Sequence, residues 1–79
     1  MKKLTKDEFY WLSTKEQVKY INELSNLYSY YDWVYINDND DVIDVDSDEV
    51  IDDVYDYLLS IHCEYIGCDL YGKCFADEE

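Results

Sequence analysis

The segment from Asn37 to Tyr57, NDNDDVIDVDSDEVIDDVYDY, constrains the fold of this chain more than any other feature. It contains ten carboxylates and no Lys, Arg or His. Like charges that are held close together repel one another and destabilise a compact state. We therefore expect the carboxylates of this segment to lie on a solvent-facing surface, with the interspersed apolar residues turned inward.

The charge of the whole chain is as one-sided as that of this segment. The net charge is −14, five of the six Lys residues lie at or before Lys19, and residues 20–72 hold fourteen acids and no Lys or Arg. Such a negative field repels nucleic acid and anionic lipid. We expect no direct binding to DNA, RNA or a membrane surface, and a basic protein as the partner.

The length of 79 residues predicts a single acidic domain, residues 1–79, with a small core. Hydrophobic residues make up 48% and aromatic residues 18% of the chain, which favours folding over disorder. The N-terminal lysines are followed by Asp7 and Glu8 rather than by an apolar run, so we expect no signal peptide and no membrane span. Three cysteines are an odd number for a disulfide scaffold, which indicates reduced thiols and a cytoplasmic protein.

Local patterns predict an α+β fold. Thr5 with Glu8, and Ser13-Thr14 with Glu16 and Gln17, are capping patterns that predict two N-terminal helices. Residues 32–36 and 41–45 predict the strands of an acidic β-hairpin, joined by a turn over residues 37–40. A long amphipathic helix is expected from about Asp48 to His62, and a short C-terminal strand or loop after it.

The predicted long helix places its acids on one face, opposite an apolar arc. Four carboxylates on that face would span about 10 Å, or one charge per roughly 3 Å, at the 1.5 Å helical rise. One DNA strand carries a phosphate charge per about 3.4 Å of axis, so the linear charge densities are similar. The hairpin would extend the line along the outer face of its second strand and add its turn. The predicted partner-binding residues are therefore Asp38, Asp40, Asp41, Asp44, Asp46, Asp48, Glu49, Asp52, Asp53 and Asp56.

In its size and in its Asp/Glu-rich segment 38–56, the chain resembles the small, very acidic, Tyr-rich proteins of phages and mobile elements that act as DNA mimics. They include anti-restriction proteins, anti-CRISPR proteins and inhibitors of uracil-DNA glycosylase. The resemblance is one of class, without a shared motif. It implies that the acids contact Arg and Lys in the nucleic-acid-binding groove of a target such as a host nuclease or CRISPR effector. By the same analogy, aromatic anchors at the rim would be drawn from Tyr28, Tyr30, Tyr31, Tyr35 and Tyr55.

Three other hypotheses concern the acids and the tyrosines. The acids could serve only as a solvated face, although solubility requires a net charge of only about 2–8 in a small domain. The Tyr-rich stretch at residues 27–36 could be the contact surface of a structural or adaptor protein. Asp44, Asp46 and Asp48 could bind a cation, but an EF-hand counted from Asp44 has Glu49 and Tyr55 where Gly and Glu are needed.

The cysteines and the histidine match neither a common zinc-binding motif nor a catalytic pair. His62-Cys63, Cys68 and Cys74 lack the C-x2-C spacing of common zinc sites, so buried or reduced thiols are the simpler interpretation. Neighbouring side chains on a helix do not face each other, which argues against His62 and Cys63 as a catalytic pair. We expect no enzymatic activity, no catalytic residues, no metal site and no cofactor.

Overall fold

A computed structural model describes residues 3–67 and 74–76 of the chain and confirms the α+β class. Helix α1 covers Lys6–Tyr10 and helix α2 covers Thr14–Leu27. Strands β1, Val34–Ile36, and β2, Val42–Asp44, form an antiparallel hairpin. Helix α3, Val54–Ile61, continues into a π-helical turn, His62–Ile66. No helix within the described ranges has the length and apolarity needed to cross a membrane.

The two N-terminal helices begin where the capping patterns predict. Thr5 and Glu8 form a reciprocal capping box, in which the Glu8 N–H donates to the Thr5 hydroxyl and the Thr5 N–H donates to the Glu8 carboxylate. Ser13 caps α2 by accepting from the Glu16 N–H at 3.3 Å. These bonds satisfy backbone donors that the first helical turn leaves unpaired. Local sequence is therefore sufficient to place both helix starts.

The core lies between α1, α2, the hairpin and α3. Helix α2 buries Ile21 and Leu24, and α3 buries Leu58. The ring of Phe9 from α1 lies 5.4 Å from that of Phe75, which joins the C-terminal residues to the core. Burial of these side chains removes apolar surface from water and is the main stabilising contribution to a domain of this size.

Asn22 connects helix α2 to the hairpin. Its side-chain amide donates to the Val34 carbonyl at 3.0 Å, and its carbonyl oxygen accepts from the N–H groups of Trp33 and Val34 at 3.0 and 3.3 Å. One side chain thus satisfies three backbone groups at the start of β1. These bonds fix the distance and orientation of the hairpin relative to the helices.

The hairpin forms with Val34 opposite Asp44 and Ile36 opposite Val42. Its strands are shorter than predicted, because β2 ends at Asp44 and the chain then turns. As a result, Val45 is exposed instead of sharing the inward face with Ile43. The predicted outer line of Asp44 and Asp46 on one strand is wrong, since only Asp44 belongs to β2.

The prediction that the long helix begins near Asp48 is wrong by six residues. Helix α3 begins at Val54, and its N-cap is Asp53, whose carboxylate accepts from the Tyr55 N–H at 3.0 Å. The preceding residues lie along β2 instead. The Ile51 N–H donates to the Val42 carbonyl at 2.7 Å, and Val50 forms a bridge with Ile43. Pairing with strand residues seven and nine positions earlier has replaced the first helical turns.

The C-terminal end of the chain differs in part from the prediction. The π-helical turn after α3 includes Cys63, where a strand or loop was expected to begin. The Ala76 N–H donates to the Leu4 carbonyl at 2.8 Å, so the last described residues lie against the N-terminal segment. The remaining part of the predicted strand or loop, residues 68–73 and 77–79, lies outside the described residues.

Candidate functional site: an acidic surface

The turn of the hairpin carries the first three predicted contact residues, Asp38, Asp40 and Asp41, and all three are exposed. The turn is organised by Asn37, whose side-chain oxygen accepts from the N–H groups of Asn39 and Asp41, both at 3.0 Å. Asp40 adopts a φ of 63°, in the left-handed region that Asn and Asp tolerate better than most residues. Asn37 therefore organises the turn, and the Asp residues supply its charge.

The loop after β2 is built in a similar way around Asp44. The Asp44 carboxylate accepts from the N–H groups of Asp46 and Ser47 at 2.8 and 2.9 Å, and the Asp44 N–H donates to the Glu49 carbonyl. Partial burial alone would raise the pKa of the Asp44 carboxyl, but the hydrogen bonds, led by that of the Ser47 N–H, outweigh it and hold the pKa below its usual value. Asp44 is half-buried and acts mainly within the loop.

Asp48 closes the same loop and is the second Asp in the left-handed region, with a φ of 61°. Its carboxylate accepts from the Tyr35 hydroxyl at 2.8 Å. This hydrogen bond raises the pKa of the Tyr35 phenol, because loss of the phenolic proton would place two negative charges side by side. Asp48 therefore links the loop to β1 while remaining exposed to solvent.

The pairing of residues 50–51 with β2 brings the two ends of the acidic segment together. Asp40 and Asp41 from the hairpin turn, and Asp52 and Asp53 from the strand-like residues before α3, line one open groove of about 460 Å³. Tyr10 of α1 lies at the same groove. Four acidic residues thus line a shared concave surface. Like charges so placed create a strong local negative potential that attracts cationic groups.

The prediction that the acids form a straight line of charge on one helix is wrong. Only Asp56 lies within α3, and Asp53 precedes it as the N-cap. Glu49 and Asp52 precede the helix and are exposed. The helical rise of 1.5 Å per residue therefore does not describe the spacing of these charges. Nine of the ten side chains are nevertheless exposed, Asp44 being the half-buried exception.

The sequence interpretation missed aromatic residues at and near this surface. Trp11, in the turn between α1 and α2, is 86% exposed. Tyr10 of the acidic groove is also exposed. The position of Trp11 between two capping patterns was the available signal, because a residue between two helix caps lies in a short turn at the surface. Of the tyrosines expected at the rim, Tyr30, Tyr31 and Tyr35 are exposed, and Tyr28 and Tyr55 are half-buried.

The metal hypotheses gain no support from the described side chains. Within residues 3–67 and 74–76, no group of three His, Cys, Asp or Glu residues is arranged to hold a metal ion. The Asp44 carboxylate is instead directed to backbone N–H groups of its own loop. Cys63 is exposed and Cys74 is buried, and Cys68 lies outside the described residues.

Comparison of the chain with models of protein families, with curated proteins and with solved structures finds no match.

Proposed function

We propose that this protein is an acidic nucleic-acid mimic that binds and blocks the positively charged DNA- or RNA-binding groove of a bacterial defence or DNA-processing protein. It would act in the bacterial cytoplasm as an inhibitor of the anti-CRISPR or anti-restriction type. Inhibition would result from occupancy of the groove, without a chemical step. A host nuclease or a CRISPR effector is the kind of partner that this proposal implies.

The observation that carries the proposal is the exposure of nine carboxylates between Asp38 and Asp56, in a stretch that contains no Lys or Arg. A surface that served only solubility would be expected to mix both signs of charge. Four of these acids, two from the hairpin turn and two from the residues before α3, line one groove. The groove lined by Asp40, Asp41, Asp52 and Asp53 is a place where a partner's Lys or Arg side chain would be held by several carboxylates.

The mechanism follows from long-range electrostatics. A protein groove that binds nucleic acid is rich in Lys and Arg, and it attracts the acidic surface at a distance and orients it on approach. Once bound, the carboxylates take the positions that phosphates occupy in the natural complex. Salt weakens the attraction, as it weakens nucleic-acid binding. Because the acids do not lie in a line along one helix, the mimicry concerns their negative charge more than the regular phosphate spacing of one DNA strand.

A second candidate function is that of a structural or adaptor protein with an aromatic contact surface. The exposure of Trp11 and Tyr31 favours it, because large aromatic side chains are enriched at protein interfaces and are costly to leave in water. In this case the acids would maintain solubility. The two candidates differ in which side chains contribute to binding, and a comparison of variants separates them.

The test is capture of partners from a bacterial lysate on the immobilised protein at low salt, followed by elution with a short duplex DNA at constant ionic strength. A mimic and DNA compete for the same groove, so the DNA should release the captured protein. Sodium chloride at the same ionic strength as the added DNA is the control and should release much less. Captured proteins that remain bound in the presence of DNA would contradict the proposal.

Charge reversal locates the contact surface. The variant Asp41→Lys, Glu49→Lys and Asp52→Lys changes exposed acids that cap no helix, and it should abolish capture while circular dichroism shows an intact fold. The matched control reverses three exposed acids on α1 and α2, namely Asp7, Glu16 and Glu23. Its net charge is the same, so it should retain most of the capture. Equal losses in both variants would mean that only total charge matters. A loss confined to Trp11→Ala and Tyr31→Ala would favour the adaptor.

A further inference from the structure

A small pocket at the edge of the acidic surface combines aromatic rings with carboxylates. It has a volume of about 220 Å³ and is formed by three separate segments: the chain after α2, the loop after β2 and the π-helical turn. Ligand sites for drug-sized molecules are usually about 300–1,000 Å³, so this pocket suits a single side chain. Its aromatic walls are Tyr30, Tyr31, Trp33 and Tyr65, and its carboxylates are Asp32 and Asp46.

Three of the four rings of this pocket, those of Tyr30, Trp33 and Tyr65, are packed against one another. The rings of Tyr30 and Tyr65 are 5.3 Å apart in an edge-on arrangement, and those of Tyr30 and Trp33 are 5.8 Å apart. Trp33 is only 7% exposed and forms the buried wall, whereas Tyr31 is almost fully exposed. Such ring pairs are mutually stabilising at these distances. The pocket is therefore a packed arrangement with one open side.

The backbone holds the first tyrosines of the pocket in place. After α2 the N–H groups of Ser29 and Tyr30 donate to the carbonyls of Asn26 and Ser25, which is the hydrogen-bond pattern of a Schellman motif. Ser29 occupies the left-handed position, with a φ of 68°, where glycine is usual. The Ser25 hydroxyl also donates to the Tyr31 carbonyl. This conformation costs energy for a serine, and it sets the direction in which the chain presents Tyr30 and Tyr31.

The other two walls are also tied to the framework. The Trp33 carbonyl accepts from the Val45 N–H and from the Tyr57 hydroxyl, both at 3.0 Å, so the loop after β2 and helix α3 both hold the tryptophan. Tyr65 reaches the pocket from the π-helical turn, a rare element that is frequent at functional sites. Glu64 above all, and also Asp46, raise the pKa of the Tyr65 phenol, which indicates a negative potential at this wall.

We propose that this pocket binds the guanidinium group of an arginine side chain. A guanidinium is planar, stacks on aromatic faces and donates several N–H bonds, so it uses both the rings and the two carboxylates. A lysine ammonium is a compact and strongly hydrated charge that gains less from the rings. A quaternary ammonium suits aromatic walls but has no N–H to donate to Asp32 and Asp46.

This inference rests on the proposed function in one respect: the arginine would belong to the basic partner protein. Asp46 belongs both to the pocket and to the acidic surface, so an arginine held here would lie beside the larger contact area. The pocket would fix one orientation of the partner, while the acids supply the long-range attraction. The binding of arginine itself can be measured without any partner.

The experiment uses Trp33 as the reporter. The chain has two tryptophans, and the exposed Trp11 can be replaced by Phe so that Trp33 is the sole tryptophan, whose emission is separated from that of the tyrosines by selective excitation. Titration of the full-length Trp11→Phe protein with N-acetyl-arginine amide should give a saturable change in emission, with a dissociation constant on the order of 1–10 mM. N-acetyl-lysine amide and tetramethylammonium chloride are titrated at the same ionic strength. Both should bind several-fold more weakly.

Variants in the Trp11→Phe background locate the site. Tyr31→Ala should weaken arginine binding. Asp32→Asn combined with Asp46→Asn should weaken it by about fivefold for each carboxylate removed. All of these side chains are exposed, so the fold should persist. The control Asp7→Asn combined with Glu23→Gln also removes two exposed carboxylates, here from α1 and α2, and should leave the titration unchanged.

Several outcomes would overturn the inference. Equal responses to the arginine and lysine compounds, or tighter binding of tetramethylammonium, would show that the pocket does not select a guanidinium. A response that survives the pocket variants would place binding elsewhere. Failure of the arginine titration, with DNA-displaceable capture intact, would reject the pocket alone. Arginine binding without such capture would reject the mimic alone.

Discussion

The N-terminal helices and the acidic segment obey different rules, although both are rich in polar residues. In α1 and α2, Thr5 and Ser13 cap the helices that their local patterns predict. In residues 37–53, the short polar side chains of Asn37 and Asp44 hydrogen-bond to the backbone of turns instead of capping helices. The predicted helical turns do not form there. The first region is decided by neighbours within four positions along the chain. The second is decided by contacts with a strand further away.

The difference shows how an Asp-rich segment can mislead a periodicity argument. The apolar residues of 50–61 have the spacing of a helix, yet Val50 is 54% exposed and Ile51 bonds to β2. Asp competes with the helix because its short side chain can bond nearby backbone N–H groups in turns. Asp48 is a turn residue in the left-handed region, and Asp53 is the N-cap of α3, so neither lies inside a helix.

The largest effect is expected where the two regions are joined. Asn22→Ala removes three hydrogen bonds between α2 and the start of β1 and leaves partly buried backbone groups of Trp33 and Val34 unpaired. We expect the free energy of unfolding to fall by about 2–3 kcal/mol, because each such group has a desolvation cost. Urea unfolding followed by circular dichroism measures this loss.

The matched control for this change is Asn26→Ala, which makes the same replacement at an exposed position of the same helix. Its effect should stay within about 0.5 kcal/mol, and the higher helix propensity of Ala favours a small gain. Similar losses in the two variants would mean that the Asn22 side chain does not connect the helix to the hairpin in solution.

A smaller effect tests where α3 begins. Asp53→Ala removes the N-cap, and we expect a loss of about 1 kcal/mol in the free energy of unfolding. If the helix instead began near Asp48, position 53 would be interior. Replacement by Ala would then stabilise the protein by a few tenths of a kcal/mol. The sign of the change therefore distinguishes the two boundaries.

Asp52→Ala is the control for the cap, because Asp52 is the exposed neighbour of Asp53 and does not cap the helix. It should change the stability by no more than about 0.5 kcal/mol. Chemical shifts of the Cα and Cβ nuclei of residues 48–53 provide an independent measurement. Helical shifts in this range would contradict the observed start at Val54.

The smallest effect concerns the loop around Asp44. The pKa of this carboxyl is lowered in the folded protein, so its charged form contributes stability at pH values above its ordinary value of 3.8. That contribution is lost as the pH falls below 3.8 and through the lowered folded pKa. We expect Asp44→Asn to be less stable than the original protein at pH 7, and the difference to vanish in acid. Urea unfolding at a series of pH values measures it.

Asp41→Asn serves as the comparison for Asp44, since it also removes one charge from the acidic surface. Asp41 is exposed, and here the removal of a repelling charge should leave the stability unchanged or raise it slightly at pH 7. If the two variants show the same pH profile, the hydrogen bonds to the Asp44 carboxylate have no part in stabilising the loop.

Much of the fold could be predicted because its signals are local. The caps at Thr5 and Ser13, the hairpin and the turn at Asn37 all depend on residues a few positions apart. The start of α3 could not be predicted from the same kind of signal. It depends on the hydrogen bond between Ile51 and Val42, which the helical periodicity of residues 50–61 does not reveal.

The candidate site divides in the same way. The identity of the ten acids and the exposure of nine of them follow from the sequence, because carboxylates without cationic partners remain in water. The shared groove does not follow from it, since Asp40 and Asp52 meet only because residues 50–51 pair with β2. The aromatic pocket is even less local, with Tyr30, Asp46 and Tyr65 drawn from three segments.

The sequence by itself determined the negative charge of this protein, its α+β class and the capped starts of its first two helices. Charge is a sum over residues, and caps and turns are closed by side chains that reach only a few positions along the backbone. The tertiary structure decided that residues 49–51 lie beside β2 and that four aromatic rings surround one small space. Such arrangements depend on backbone hydrogen bonds and side-chain packing between distant segments, which only the folded chain brings together.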